Sequence, residues 1–454
     1  MHRIALLLLL VGCVNRASKS ISLYESGDYA AAVRSADEGL AAHPDDESLW
    51  GMKIRAQLAL GDGDGVVKAY GEYRAKRGED DKELLRDLVN ATLSQALGSP
   101  SVKMKLAAIE AVAQLEIHEL ADNVFVLMED NDDRVSAAAS IAVLKGFPQA
   151  PQVADEMTRS ENAEARRIAI DGIGRKVGKL AIADLEKAAV DKDASVRRVA
   201  VRWLGMLKDK EAVAVLMRHL KDPDEGVRAA SAISLAQIGI GNLAALGKQA
   251  LADRMLSVRL AGVELLEAAK AEGELVALTD DPDPLVATAA AIAVKKTHPE
   301  LGGKAINRAI TAPEWTARAG AANMMVQAVG KESARQVAQK LTTDPEVAVR
   351  LAAARVLVYS GDREAARRVF NAELAHPEFG VQAAADLAAM DDEAGVRALS
   401  AFVHDKQRDS EQRARAALAH HSAHRVTPGL VAALADRDGM VRVQAAAVLG
   451  ALSK

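Results

Sequence analysis

One block of sequence recurs about every 31 residues from position 100 to the end of this 454-residue chain. Each copy begins with an acidic stretch, continues with an apolar residue and usually an arginine, and has a small residue four places after the apolar one. The clearest copies occupy residues 191–205, 222–236 and 436–450. A fixed period of this length is typical of stacked repeats, in which no single unit can bury its apolar face alone.

The apolar residue of each copy marks one buried face of a helix. A small residue follows four places later and an apolar residue usually follows eight places later, so all three lie on one side of the helix. The small residues indicate that two helices approach each other closely at that point. They are Ala139, Ala169, Ala200, Ser231, Gly262, Ala290, Ala321, Ala353, Ala385, Ala416 and Ala445.

Aspartates such as Asp193 and Asp224 precede this helix, where their side chains can cap its first turn. A second helix fits between successive blocks, for example over residues 211–220. Aromatic residues make up only 3% of the chain although hydrophobic residues make up 50%, which disfavours a β fold. The sequence predicts an all-α protein, an α-solenoid of stacked helical hairpins with about 12 units over residues 99–454.

This pattern resembles HEAT repeats, in the short form found in phycobilisome-lyase-like proteins. The resemblance implies a ladder of ion pairs, in which an Asp before the helix meets the Arg that follows the apolar marker. It implies a structural role for these arginines. The best-fitting positions are Arg197, Arg228, Arg259, Arg350 and Arg442, and the row is interrupted at Ser136, Ala287 and Gln382.

The last block ends four residues before the C-terminal residue, Lys454. Its helix carries Val441, Ala445 and Leu449 on one face, and small apolar residues continue around it. We expect this block to end the stack without a separate capping domain.

A different pattern occupies residues 13–98. Gly27-Asp28-Tyr29 is followed by Ala32 and Pro44, and a second glycine, Gly61, comes 34 residues after the first. This period and these residue types resemble tetratricopeptide repeats. The resemblance implies two degenerate helical units and a further helix near residues 82–97, which together form a short module. We expect this module to depend for its stability on packing against the repeats that follow it.

The first thirteen residues read MHRIALLLLLVGC. An apolar run from Ile4 to Val11 is too short to span a bilayer but has the length of a signal-peptide core. The segment from Leu10 to Cys13 resembles the bacterial lipoprotein box, which implies a signal peptide over residues 1–12 and a lipid on Cys13. The protein would be exported and anchored in a membrane. In such lipoproteins an Asp directly after the cysteine is the usual signal for retention in the inner membrane. This chain has Val14 there, so the resemblance favours the outer membrane, if the source has one.

Composition and motifs argue against several functions. A net charge of −5 with few aromatic residues disfavours nucleic-acid binding, and one cysteine excludes a disulfide framework within the chain. Deoxyhypusine hydroxylases share this repeat and bind two irons through several His-Glu pairs, but here only His118-Glu119 forms such a pair. We therefore expect no catalytic residues, no cofactor and no metal site.

The densest histidine cluster lies near the C-terminus. His420 and His424 are four residues apart, a spacing that can place two imidazoles on one helix face. The residues around them suggest instead that a helix is ending there. Metal binding or an enzymatic activity at this cluster is one alternative function.

The remaining candidate site is a surface. Residues two and six places after the apolar marker vary in type from copy to copy, as expected of positions that face a ligand or solvent. The candidate protein-binding residues are Arg167, Asp171, Arg198, Arg202, Glu264 and Arg355. The sequence favours a membrane-anchored, non-catalytic scaffold of the bacterial cell envelope that binds a protein partner, and a structural spacer without a specific partner is the other alternative.

Overall fold

The computed structural model describes residues 17–454, and every regular element in that range is a helix. The predicted all-α solenoid of helical hairpins is therefore confirmed. The signal peptide over residues 1–12 and Cys13 lie outside the described residues. The chain divides into two compact units, of which unit 1 contains residues 17–124 with 374–454, and unit 2 contains residues 125–373.

Unit 1 begins with helices at the start of the described chain. These are α1 (17–25), α2 (Tyr29–Ala42), α3 (Glu47–Leu60), α4 (Gly63–Arg77), α5 (Lys82–Leu97), α6 (Val102–Leu115) and α7 (Ala121–Val126), which reaches the boundary between the units. Its second part contains α24 (Gly380–Ala388), α25 (Glu393–His404), α26 (Ser410–Ala419), α27 (Pro428–Ala432) and α28 (Gly439–Leu452). The predicted helix near residues 82–97 is α5. The tetratricopeptide resemblance of these helices stays a prediction.

Unit 2 alternates long and short helices. Long and short helices follow each other as α8 (Asp133–Ala142), α9 (Ala150–Met157), α10 (Ala163–Val177), α11 (Ile182–Ala188), α12 (Ala194–Met206), α13 (Val213–His219), α14 (Glu225–Ile238), α15 (Leu243–Leu251), α16 (Leu256–Ala268), α17 (Glu272–Leu278), α18 (Pro284–Ala293), α19 (Pro299–Ala309), α20 (Trp315–Val329), α21 (Lys331–Leu341), α22 (Val347–Tyr359) and α23 (Arg363–Glu373). Five 3-10 segments complete the structure, at His118–Leu120, Leu127–Glu129, Gly178–Ala181, His420–Ala423 and Ala433–Ala435.

Aspartate side chains cap the long helices α8, α12, α14 and α18 of unit 2, as the sequence predicts. Asp193 accepts a hydrogen bond from the amide of Ser195, and Asp224 accepts one from the amide of Val227. These bonds satisfy amides in the first turn that have no partner within the helix. The acidic stretch therefore fixes where these helices begin, whereas α16, α20 and α22 begin without a side-chain cap.

Small residues allow the long helices of unit 2 to pack side by side. Each long helix contacts the next long helix of unit 2, and the short helices from α9 to α21 each contact the long helix that follows. Ala200 and Ala353 are fully buried. At Gly205 of α12 a Cβ atom would lie only 2.4 Å from the Cβ of Ser234 in α14. The predicted close approach between helices is therefore present.

The end of the chain is covered within unit 1. Helix α28 packs on α26 and also on α5 and α6. Arg74 donates a hydrogen bond to the carbonyl of Val426 over 3.1 Å, and the Lys82 ammonium donates one to Lys454 over 2.9 Å. The expectation of an uncapped final block is therefore wrong. The second apolar side of α28, with Val443 and Val448, is buried because the early helices cover it.

Replacing a buried alanine between long helices with leucine should destabilise the fold. Ala200→Leu or Ala353→Leu adds three carbon atoms at a fully buried position, and such overpacking costs about 1–3 kcal/mol. Urea unfolding followed by circular dichroism measures the change. Ala401→Leu, at an exposed position inside α25, is the matched control and should leave the free energy of unfolding unchanged. Equal stability of all three variants would contradict the close packing.

Candidate functional site

Ion pairs between neighbouring repeats form a regular ladder inside the stack. Arg197 shows the arrangement of one rung. Its Nε and Nη2 donate to the carboxylate of Asp222 over 2.8 and 2.7 Å, and its Nη1 donates to the backbone oxygens of Asp191 and Lys192 over 2.9 and 3.2 Å. One guanidinium thus holds the loop before its own helix and the loop of the next repeat.

The same rung recurs along the chain. The pairs are Arg166–Asp191, Arg197–Asp222, Arg228–Asp253, Arg259–Asp283, Arg318–Asp344 and Arg350–Glu373 in unit 2, and Arg413–Asp436 in unit 1. The predicted pairing with an aspartate is confirmed at Arg197, Arg228 and Arg259, whereas Arg350 pairs with Glu373 at the end of α23. Arg442, the last predicted member, donates its Nη1 to the backbone oxygen of Asp436 over 2.7 Å. These arginines are engaged within the framework, so they are not the candidate ligand-binding residues.

The three predicted interruptions remove both partners of a rung together. Ser136, Ala287 and Gln382 stand where the arginine would be. Five of the seven rungs have their aspartate five residues before the next apolar marker; at that place after the three interruptions the chain has neutral Ser160, Ala312 and Gln407 in the same order. At the first interruption Ser136 donates instead to the backbone oxygen of Met128 over 2.7 Å. The missing arginines at these three positions therefore leave no buried carboxylate unpaired at the matching places.

Burial and hydrogen bonding act in opposite directions on the carboxyl of Asp222. Burial alone would raise its pKa, but hydrogen bonds from Arg197, from the Asp224 amide and from His219 bring the pKa below its ordinary value of 3.8. The hydrogen bond from Arg228 likewise lowers the pKa of Asp253. Both acidic partners are therefore ionised at neutral pH.

The six candidate surface residues all lie on long helices of unit 2. Asp171 in α10 accepts hydrogen bonds from Arg202 and from the indole of Trp203 in α12, both over 2.9 Å. Arg167 is half-buried and pairs with Glu164 on its own helix, whereas Arg198 is exposed. The structure thus brings Asp171 of α10 and Arg202 of α12 together. Their role in binding a protein stays a prediction.

The other two candidates lie further along the stack. Glu264 is in α16, two repeats beyond α12, and Arg355 is in α22, five repeats beyond it; both side chains are exposed. Partial desolvation and the neighbouring Glu267 raise the pKa of the Glu264 carboxyl. These two residues are separate from the cluster around Asp171.

The histidine cluster does not form a shared face. Helix α26 ends at Ala419, and His424 adopts a left-handed backbone conformation with φ of 50°. His420 is fully buried, with Nδ1 2.9 Å from the backbone oxygen of Ala416 and Nε2 3.3 Å from the hydroxyl of Ser400. Burial lowers its pKa to about 4, so the ring is neutral at pH 7. Both ring nitrogens are engaged in the protein, and the helical spacing is lost.

Within residues 17–454, no three His, Cys, Asp or Glu side chains are grouped so that they could hold a metal ion. Over the same range, no helix is long and apolar enough to cross a bilayer. The pair His118-Glu119 lies at a 3-10 segment and borders an open cavity of about 410 Å³ in unit 1, together with Arg86 and Leu115. The sequence gives no indication of this cavity, because helices that are distant in the sequence form it.

The fold and the ladder define a class of protein, an α-solenoid built from helical hairpins that are joined by arginine–carboxylate pairs. A family model for HEAT repeats matches residues 150–236 and 182–267, so this part of the chain consists of HEAT repeats. The match covers helices α9 to α16 and includes the candidate residues from Arg167 to Glu264. No curated protein sequence matches the chain.

Several solved structures are partly similar to this chain. Escherichia coli YibA is 16% identical, with 60% of this chain and 97% of that chain covered and a TM-score of 0.36. The complex of CpcE and CpcF of phycocyanin lyase from Nostoc sp. PCC7120 is 19% identical, covering 62% and 96%, with a TM-score of 0.28. Human deoxyhypusine hydroxylase is 20% identical, covering 57% and 100%, with a TM-score of 0.27.

Adjacent arginines separate the framework from the surface, and substituting each in turn tests this. Arg197→Met leaves the buried Asp222 without its partner and should cost about 3 kcal/mol in the free energy of unfolding. Arg198→Met, one position away at an exposed site, should change it by less than about 0.5 kcal/mol. Thermal and urea unfolding measure both.

The same pair of variants has a defined pH dependence. The Asp222 pKa is lowered in the folded state, so its contribution is fully present above 3.8, the ordinary value, and is lost as the pH falls below it. Arg197→Met should therefore lose less stability between pH 5 and pH 2 than Arg198→Met does. A similar loss of stability in both variants would show that the rung does not stabilise the fold.

Proposed function

We propose that this chain is a non-catalytic scaffold of the bacterial cell envelope, held at a membrane by a lipid on Cys13, which binds a protein partner along its long helices. Cys13 lies outside the described residues, and its role rests on the signal-like segment before it. The outer membrane is the favoured location, if the source has one. Several acyl chains on one residue would hold the protein firmly at a bilayer.

The proposed binding role is based on one observation: some arginines are paired inside the stack, whereas others are exposed on the surface. Framework arginines such as Arg197 are taken up by carboxylates inside the stack. The residues beside them, Arg198 and Arg202, are exposed on α12. Arg202 reaches Asp171 of the neighbouring repeat, so charged groups from two repeats share one surface. This supports recognition of an acidic segment of a partner protein.

The histidine cluster gives less support to the metal-dependent or enzymatic alternative. His420 is buried, neutral and hydrogen-bonded through both ring nitrogens. A metal ligand needs a nitrogen lone pair directed at the metal, and hydrogen bonding to Ala416 and Ser400 already uses these positions. A scaffold role requires only an accessible surface and a rigid frame.

The anchor is tested by metabolic labelling with an alkyne analogue of palmitate. The unaltered chain should incorporate the label, and Cys13→Ser should not, because its side chain lacks the thiol that is acylated. Asn15→Ser, two positions further on, is the matched control and should be labelled normally. A labelled Cys13→Ser protein would contradict acylation at this residue.

The binding surface is tested by charge reversal followed by crosslinking in native membranes and affinity purification. Arg167→Glu, Arg198→Glu and Arg202→Glu combined should reduce recovery of the partner by about tenfold, since opposite charges would become like charges. The control combines Lys221→Glu, Arg254→Glu and Lys340→Glu, three exposed positions outside this surface. Circular dichroism checks that both variants fold. Equal recovery with both triple variants would contradict the proposed surface.

A further inference from the structure

Exposed apolar side chains recur where three successive long helices end. Leu180 follows α10 and is 89% exposed, Met206 ends α12 and is 52% exposed, and Ile240 follows α14 and is 39% exposed. Val177, at the end of α10, is also exposed. Side chains of this size are mostly buried, and their recurrence at the equivalent ends of three successive helices distinguishes this part of the surface.

These helix ends lie on one edge of unit 2. The indole of Trp203 in α12 contacts Asp171 in α10, and the hydroxyl of Ser234 in α14 donates to the backbone oxygen of Val201 in α12 over 3.0 Å. Each contact joins residues about one repeat apart, so the three long helices run side by side in the same direction. Their C-terminal ends therefore follow one another along one edge.

Lysines flank the apolar side chains at the ends of α10 and α12. Lys176 and Lys179 flank Val177 and Leu180, and Lys208 and Lys210 follow Met206; all four lysines are exposed. Among the ion pairs described for residues 17–454, none involves these four side chains. We call these four lysines and Val177, Leu180, Met206 and Ile240 the connection strip.

The strip is basic although the whole chain is acidic. Around it, residues 175–180 and 206–211 contain five basic residues and two acidic ones, and residues 236–247 contain no acidic residue. The complete chain has a net charge of −5. The strip therefore differs in charge from the protein as a whole.

We propose that the connection strip is a membrane-docking edge, which rests on the surface of a bilayer that contains anionic phospholipids. Its apolar side chains enter the headgroup region while its lysines contact lipid phosphates, the combination that holds interfacial segments at membranes. The proposal rests on the proposed function, because it states which edge of a membrane-bound scaffold faces the bilayer. The surface around Asp171 lies on the sides of the same helices, so it stays accessible to a partner.

Spacing favours a bilayer over an acidic protein segment as the occupant. Adjacent long helices pack about 8–10 Å apart, so the apolar side chains are separated by a full repeat. A stable protein interface needs about 800 Å² of continuous surface on each partner. Lipids rearrange around separate side chains, whereas a folded partner would need a matching pocket for each one.

The test uses the chain from residue 14 to residue 454, which lacks the acylated cysteine and retains every described helix. Its binding is measured by co-sedimentation with vesicles of phosphatidylcholine alone and with vesicles that contain one-quarter phosphatidylglycerol. We expect binding to the anionic vesicles that weakens as salt is added. Leu180→Ser combined with Lys208→Glu should weaken this binding by about tenfold.

The control makes the same two kinds of change on exposed loops that precede long helices. Val190→Ser combined with Lys221→Glu should bind vesicles as the unaltered chain does. Equal binding by the two double variants, or no binding to anionic vesicles at low salt, would overturn the proposal. Binding of a glutamate-rich peptide that requires Leu180 and Lys208, without vesicle binding, would assign the strip to a protein partner instead. None of these results depends on Cys13, so acylation stands or fails separately.

Discussion

The rest of the structure depends on the arginine–carboxylate pair that joins one repeat to the next. In the rung of Arg197 and Asp222, the guanidinium binds a carboxylate of the following repeat and backbone oxygens before its own helix. Each buried ion in such a pair depends on its partner, because an uncompensated buried charge costs several kcal/mol. This explains why, at the interruption between Ala287 and Ala312, both places are neutral.

The ladder also determines which charged residues are available to bind a partner. The framework arginine and the surface arginine are adjacent in the sequence, as Arg197 and Arg198 show, but one points into the stack and the other into solvent. A helical repeat thus keeps its spacing while side chains on the exposed positions vary. The functions proposed for this chain therefore concern its surfaces, at Asp171 and its neighbours and at the basic edge near Leu180.

Much of this fold follows from local sequence. The period, the N-cap at Asp193 and the small residue Ala200 act within one repeat or between adjacent repeats, so their pattern predicts them. The packing of the early helices on α28 could not be predicted in this way, because it brings together residues that are far apart in the sequence, such as Lys82 and Lys454. The burial of His420 could not be predicted from the sequence either, since it depends on the turn that ends α26 and on Ser400. The exposed edge at Leu180 could not be predicted from the sequence, because it is defined by how exposed each side chain is in the folded chain.

Native-state hydrogen exchange, read by mass spectrometry for each helix, tests most directly whether the rungs couple neighbouring repeats. Helices α12 and α14, which are joined by the rung of Arg197 and Asp222, should exchange together through one opening of high free energy. Helices α18 and α20, on either side of the interruption at Ala287 and Ala312, should exchange through separate openings of lower free energy. Exchange of all four helices through a single global opening would contradict coupling by the ladder.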